Sequence, residues 1–183
     1  VTLIGIAGAK RSGKNTLSAG LSHALGLPEE SFAGPLREFV ARITGMTPHE
    51  LEFNKELPLE WLDGITPRAM MQTVGTEWGR QMVHPELWVR SLFARIPPQG
   101  AIISDVRFPN EAEAILARGG IVFRLLRPGT GSGDGHLSEA PLPSELVTVE
   151  LVNNSTPQRL VEAALQCLPQ GRALNTPATE TGD

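Results

Sequence analysis

Hydrophobic positions along the chain alternate between two patterns. Short apolar runs occur at 2–7 (T-L-I-G-I-A), 101–105 (A-I-I-S-D), 121–126 (I-V-F-R-L-L) and 147–152 (V-T-V-E-L-V). Runs of this kind suit strands buried on both faces of a parallel sheet. A shorter S-F-A at 31–33 reads as a further strand. Between them the apolar residues recur at helical spacing. Leu17, Leu21, Ala24 and Leu25 mark a helix over 14–25 that Gly26 stops. Leu36, Phe39, Val40 and Ile43 form a stripe on a helix opened by Pro35 and closed by Gly45.

Three Thr-Pro pairs, at Thr47, Thr66 and Thr156, place an N-cap before a residue preorganised for the first helical turn. Glu50 completes a capping box with Thr47. The predicted helices run over 48–53, 67–82, 85–95 and 157–168, and Asn110 caps another that reaches Ala117. Strands and helices alternate, which predicts a three-layer α/β fold around a mostly parallel sheet of five strands, in one domain over 1–168. Residues 128–145 are too rich in Gly, Ser and Pro for regular structure, and a loop of that length is usually functional or disordered. The tail, 169–183, is poor in apolar residues and reads as mobile.

Composition changes this picture little. Apolar residues make up 40% of the 183 and charged residues 20%, with a net charge of −4. That balance disfavours a broad nucleic-acid surface. Thirteen of the sixteen basic residues are arginines; codon usage of a GC-rich genome accounts for the total, so each arginine is weighed by position. Cys167 is the single cysteine, which rules out an intramolecular disulfide, and its apolar helical setting predicts burial. The first residues are too short an apolar run to span a membrane and lack the marks of a signal peptide, so a cytoplasmic protein is expected.

The chemistry concentrates at G-A-K-R-S-G-K-N-T, residues 8–16, between the first strand and the first helix. Such a loop turns backbone N–H groups toward one point, and the helix N-terminus adds partial positive charge. Lys14 supplies a full charge. The common pattern has a hydroxyl directly after the lysine, whereas here Asn15 stands there and Thr16 follows. A second candidate is S-D-V-R-F-P-N-E, 104–111, which sets Asp105 at the carboxyl end of a strand, where open α/β sheets bind ligands. Asp105 there suits Mg²⁺ beside phosphates, and Arg107 suits a phosphate clamp. The plainer alternatives are a capping carboxylate and a surface ion pair.

The offset threonine of G-K-x-T is similar to that of nucleoside monophosphate kinases of the adenylate kinase type. More broadly, the chain resembles the deoxynucleoside monophosphate kinases of tailed bacteriophages. The resemblance rests on the phosphate loop, F-A-G-P-L-R-E, P-R-A-M-M-Q-T-V-G-T-E-W-G-R, S-D-V-R-F-P-N-E, H-L-S-E and V-N-N-S-T-P-Q-R-L, in that order, up to about residue 168. Dephospho-coenzyme A kinases share the first and last stretches more loosely and are the competing enzyme class. A nucleotide-binding module without catalysis is the competitor of another class.

The resemblance implies a P-loop kinase fold with a helical acceptor-binding insert over about 34–95 and a lid over about 128–145. It implies transfer of the ATP γ-phosphoryl group to a deoxynucleoside monophosphate, with Mg²⁺, for DNA precursor synthesis, in the host cytoplasm if phage-encoded. Gly8, Lys10, Ser12, Gly13, Lys14, Asn15 and Thr16 would hold ATP, and Thr16 and Asp105 the metal. Arg37, Arg68, Gln72, Thr76, Trp78, Arg80 and Arg107 would form the acceptor site. Lys14, Arg107 and Arg127 would stabilise the transferring phosphoryl group. Met71, Val74 and Trp78 also share helical spacing, so Trp78 reads more readily as core than as a stacking platform. Arg127 is better placed at the lid than Arg124, which suits a sheet face. His136, Ser138 and Glu139 match the family without an assigned role. Asn15 and Gly34 depart from the acidic residues common there. A homodimer is implied by the resemblance alone.

Overall fold

The computed structural model describes residues 1–130 and 141–169. Its sheet has the order β2-β3-β1-β4-β5 and every pairing is parallel. The strands are β1 (Thr2–Gly8), β2 (Glu29–Glu30), β3 (Gly100–Val106), β4 (Ile121–Leu126) and β5 (Val149–Val152). The helices are α1 (Lys14–Leu25), α2 (Gly34–Thr44), α3 (Pro48–Asn54), α4 (Pro67–Gln72), α5 (Leu87–Phe93), α6 (Pro109–Leu116) and α7 (Pro157–Gln166).

The unbroken apolar runs explain the three layers. Successive strand residues point to opposite faces. Ile4 and Ile6 of β1 therefore enter one core with Leu17, Leu21, Phe123 and Leu160, under α1 and α7. Leu3 and Ala7 enter the other, with Trp88, Leu92, Ile103 and Ile115, under α5 and α6. Helix α1 lies directly on α7: a Cβ on Gly20 would come within 2.3 Å of Val161. A small separate core of Val40, Ala41 and Leu51 holds α2 and α3 together.

Several expectations are corrected. Ser31-Phe32-Ala33 is a turn, and β2 lies just before it, Glu29 and Glu30 pairing with Ile102 and Ile103. The amides of Phe32 and Ala33 are taken by the Asp105 carboxylate and so are lost to a strand. Phe39 and Ile43 are exposed, because only the Leu36/Val40 edge of α2 meets the core. Asn110 does not cap α6. The cap position is Phe108, whose N–H is satisfied by Glu111 three residues on. Cys167 is exposed, just past the end of α7. The helix predicted over 67–82 becomes a π-helix from Thr73 to Val83. Among the described residues no helix is long and apolar enough to cross a membrane.

Candidate active site

Strands β1, β3, β4 and β5 all run the same way, so Gly8, Asp105, Arg127 and Asn153 come to one edge of the sheet. The loop after β1 is held there by side chains that grip its carbonyls. Lys14 Nζ donates to the carbonyl oxygens of Gly8 and Ala9, both at 2.8 Å. Asn153 Nδ2 donates to Ser12 O at 2.8 Å, and an Arg127 guanidinium N–H to Arg11 O at 3.4 Å. Two glycines are required by shape. A Cβ on Gly8 would lie 2.6 Å from the Leu125 carbonyl oxygen, and one on Gly13 2.4 Å from Asn153 Nδ2. Gly13 also sits at φ 103°, open to glycine alone at little cost, and Arg11 carries a left-handed φ of 65°.

Ser12 Oγ is fully buried in this loop and has no hydrogen-bond partner among the described residues. An orphaned buried hydroxyl in a glycine loop just before a helix N-terminus fits an anion-binding cradle. The loop thus fits nucleotide phosphates on its own geometry. Asn15 and Thr16 are exposed in the first turn of α1. Lys10 lies outside the cradle, its ammonium 2.6 Å from Glu56 of the insert.

Asp105 has both carboxylate oxygens engaged. Oδ1 accepts from the Phe32 N–H at 2.8 Å, and Oδ2 from the Ala33 N–H at 3.0 Å and from Arg37 at 3.3 Å. It caps the entry to α2 and orients Arg37, which also donates to Ser31 Oγ. Among the described residues no cluster of three or more His, Cys, Asp or Glu could hold a metal ion. The donors therefore do not fit a metal caged by protein. They fit one carried mainly by phosphates and water, for which Thr16 would offer the exposed hydroxyl nearest the loop lysine in sequence.

Arg107, one residue past β3, is exposed, and its backbone N–H donates to Glu111 Oε2 at 2.8 Å. Glu111 is buried and also accepts from Phe108 N–H and, at 2.5 Å, from Arg80. Burial pushes its carboxyl up to about 7, and the Asp105 charge adds to this; Arg80 and the two amides pull the other way.

Within the insert, the expected acceptor residues separate into distinct settings. Arg80 is only 12% exposed, paired with Glu111 and stacked 3.9 Å above the Phe108 ring, so its charge is spent on the scaffold. Arg68, also largely covered, lies 3.6 Å from Glu56. Glu56 therefore joins an arginine of the insert to a lysine of the phosphate loop, and the Lys10 hydrogen bond holds its carboxyl below the usual range. Gln72 is half-buried at the end of α4. Thr76 is buried and lines, with Arg80, Gln81, His84 and Phe108, an open groove of about 550 Å³.

Trp78 is 47% exposed, which corrects the core reading. The π-helix is the reason. Each of its turns takes one more residue, as the His84 N–H to Gly79 O bond shows, so the Met71/Val74/Trp78 stripe falls out of phase. Gly75 and Gly79 face inward instead. Trp88 fills the space, donating from Nε1 to Gly75 O at 2.7 Å, and a Cβ on Gly79 would meet its ring at 2.6 Å.

Within β4, Arg124 is tied to Glu150 at 2.7 Å and to Leu142 O, as expected of a residue fixed on the sheet. Residues 131–140, and with them His136, Ser138 and Glu139, lie outside the described residues, as does the tail from 170.

Three residues escaped sequence reasoning. Glu111 had a local signal, a glutamate at the third helical position after Phe-Pro. Asn153 lay inside a motif already noted but carried no rule for its role. Glu56 had no signal, since its partner Lys10 is 46 residues away.

A glycine loop at the carboxyl edge of a parallel sheet, flanked by arginines, has the form of a P-loop phosphate-binding site. Residues 42–163 match the family model described as deoxynucleotide monophosphate kinase. A protein of Acanthamoeba polyphaga mimivirus with the same kinase description is 34% identical over 193 residues, spanning 96% of this chain and all of the relative. The deoxynucleoside-5'-monophosphate kinase of Escherichia phage T5 is 38% identical over 99 residues, 49% of this chain and 40% of that one. Among solved structures, shikimate kinase from Acinetobacter baumannii has a TM-score of 0.48 at 17% identity, over 90% of each chain. The chain belongs to the deoxynucleotide monophosphate kinase family and is a phosphotransferase.

Proposed function

We propose that this chain transfers the γ-phosphoryl group of ATP to a deoxynucleoside 5'-monophosphate, producing ADP and the deoxynucleoside diphosphate. The observation that carries the residue assignment is the cradle of Gly8, Ser12, Gly13 and Lys14, gathered with Arg37, Arg107 and Arg127 at one sheet edge. ATP supplies the phosphoryl group, and magnesium neutralises phosphate charge. The loop amides and Lys14 hold the donor phosphates, the ammonium exchanging the Gly8 and Ala9 carbonyls for phosphate oxygens. Arg107 and Arg37 face the acceptor phosphate, and Arg127, at the root of the glycine-rich stretch, approaches the donor side. Asp105 acts from behind by fixing Arg37 and the start of α2.

Arg68, Gln72, Thr76 and Trp78 belong to the insert that receives the acceptor, with Trp78 available for stacking because it is exposed. Arg80 supports that insert through Glu111. Supply of DNA precursors in a host cytoplasm accords with the phage relatives, and a homodimer is the assembly proposed from the resemblance alone.

The test is ADP formation from Mg-ATP with dAMP, dGMP, dCMP, dTMP or dephospho-coenzyme A, against a control without acceptor. Stimulation by one or more deoxynucleotides is expected. Stimulation by dephospho-coenzyme A alone would overturn the acceptor assignment while keeping the loop.

A further inference from the structure

The three side chains that grip the phosphate loop differ in where they come from. Lys14 belongs to the loop itself, and Arg127 follows β4. Asn153 comes from the far edge of the sheet, one residue past β5. Its own N–H donates to Leu126 O at 2.7 Å, which pins its backbone to the end of β4. Its side chain then reaches over Gly13 to the Ser12 carbonyl at 2.8 Å. The fit is close, since a Cβ on Gly13 would fall 2.4 Å from Asn153 Nδ2.

A trans peptide is planar, and its C=O and N–H point in opposite directions. Holding Ser12 O therefore sets the direction of the Gly13 N–H, away from Asn153. In the opposite orientation the carbonyl would face the phosphates and repel them. The peptide is free to flip in principle, because Gly13 tolerates backbone angles that other residues do not. Ser12 Oγ, buried without a partner among the described residues, cannot be what holds it.

We propose that Asn153 is a positioning residue that locks the Ser12–Gly13 peptide with its N–H toward the nucleotide phosphates. It touches no reacting atom and acts through the loop. The inference rests on the reading of this loop as the ATP site. It also assigns a role to the V-N-N segment, which the roles above leave unused.

The experiment uses the full chain and ADP as the probe. Two variants separate donation from packing. Asn153→Ala removes the side chain, whereas Asn153→Leu keeps a similar shape and removes the N–H donor without adding charge. Affinity is read by calorimetry, loop geometry by the ¹⁵N–¹H shift of the Gly13 amide on adding ADP, and folding by thermal denaturation without nucleotide. Both variants are expected to lose about tenfold or more in ADP affinity. Both should lose most of the Gly13 shift that the wild type shows, and Asn153→Leu should melt close to the wild type. Should Asn153→Ala not fold, Asn153→Leu decides alone. ADP affinity within twofold of wild type in a folded variant, with the Gly13 shift intact, overturns the proposal. Failure of the wild type itself to bind ADP would instead overturn the reading of the loop, and this inference with it.

Discussion

The phosphate loop and the helical insert solve the problem of holding a site in different ways. The loop is built from neighbours in sequence, between a strand and a helix that pack against each other. Its shape is imposed by glycines at Gly8 and Gly13 and by carbonyl grips from Lys14, Arg127 and Asn153. The insert, from α2 to α5, has a small core of its own, joins the main core through Leu36, Trp88 and Leu92, and is further fixed by pairs apart in sequence. Arg80 reaches Glu111, Trp88 reaches Gly75, and Arg68 and Lys10 meet at Glu56. The lesson is that local backbone geometry, fastened by two side chains distant in sequence, makes the phosphate loop, while tertiary electrostatics and an irregular helix make the insert. One should respond to point changes through chemistry, the other through stability and pH.

The largest contrast comes from Lys14→Ala. It should lower kcat by about a hundredfold to a thousandfold, as for loss of a preorganised charge at the transition state, while far-UV dichroism and melting stay near wild type. Unchanged ATP-dependent turnover would remove the loop from the mechanism.

Glu111→Gln probes the insert side. The carboxyl titrates at about 7 in the fold against an ordinary 4.5, so the native state keeps a proton that the unfolded chain has already lost. Stability from this group is present below about 4.5 and is lost as pH rises through 7. The effect across that window is on the order of 3 kcal/mol at most. The wild type should therefore lose stability relative to Glu111→Gln between these limits, as read by denaturant unfolding at each pH. Parallel profiles would show that Arg80 and the amides keep Glu111 ionised throughout.

Gly79→Ala sets a methyl against the Trp88 ring and should cost about 1–3 kcal/mol, measured as a lowered melting temperature. A neutral result would mean that the π-helix relaxes to make room. The smallest effect is expected from Glu56→Gln. Freed of its partner, Lys10 should strengthen ATP binding by no more than about fivefold, the scale of an exposed ion pair. A loss of ATP affinity on titration would show that Glu56 orients Lys10 rather than competing for it.

What could be read from the sequence follows the same division. The apolar runs placed β1, β3 and β4 because burial on both faces leaves no other pattern, and Thr-Pro placed the starts of α3, α4 and α7 because capping is local. The loop was legible for the same reason. Asp105 was found at the right edge, but its engagement with Phe32, Ala33 and Arg37 was not, since those groups lie some seventy residues away. Trp78 was misread because periodicity assumes an α-helix, and the π-helix shifts the phase. Cys167 was misplaced because α7 ends one residue before it and its side chain no longer follows the buried face. In each case long-range contact, or a change of helical period, overrode a local rule.

The central claim is that the γ-phosphoryl group passes directly from ATP to a deoxynucleotide held by the insert. It is tested most directly by following γ-labelled ATP with the favoured deoxynucleoside monophosphate and separating the products. The account predicts label in the deoxynucleoside diphosphate, matched one for one by ADP and abolished by Lys14→Ala. Label released only as inorganic phosphate, with the deoxynucleotide unchanged, would contradict it.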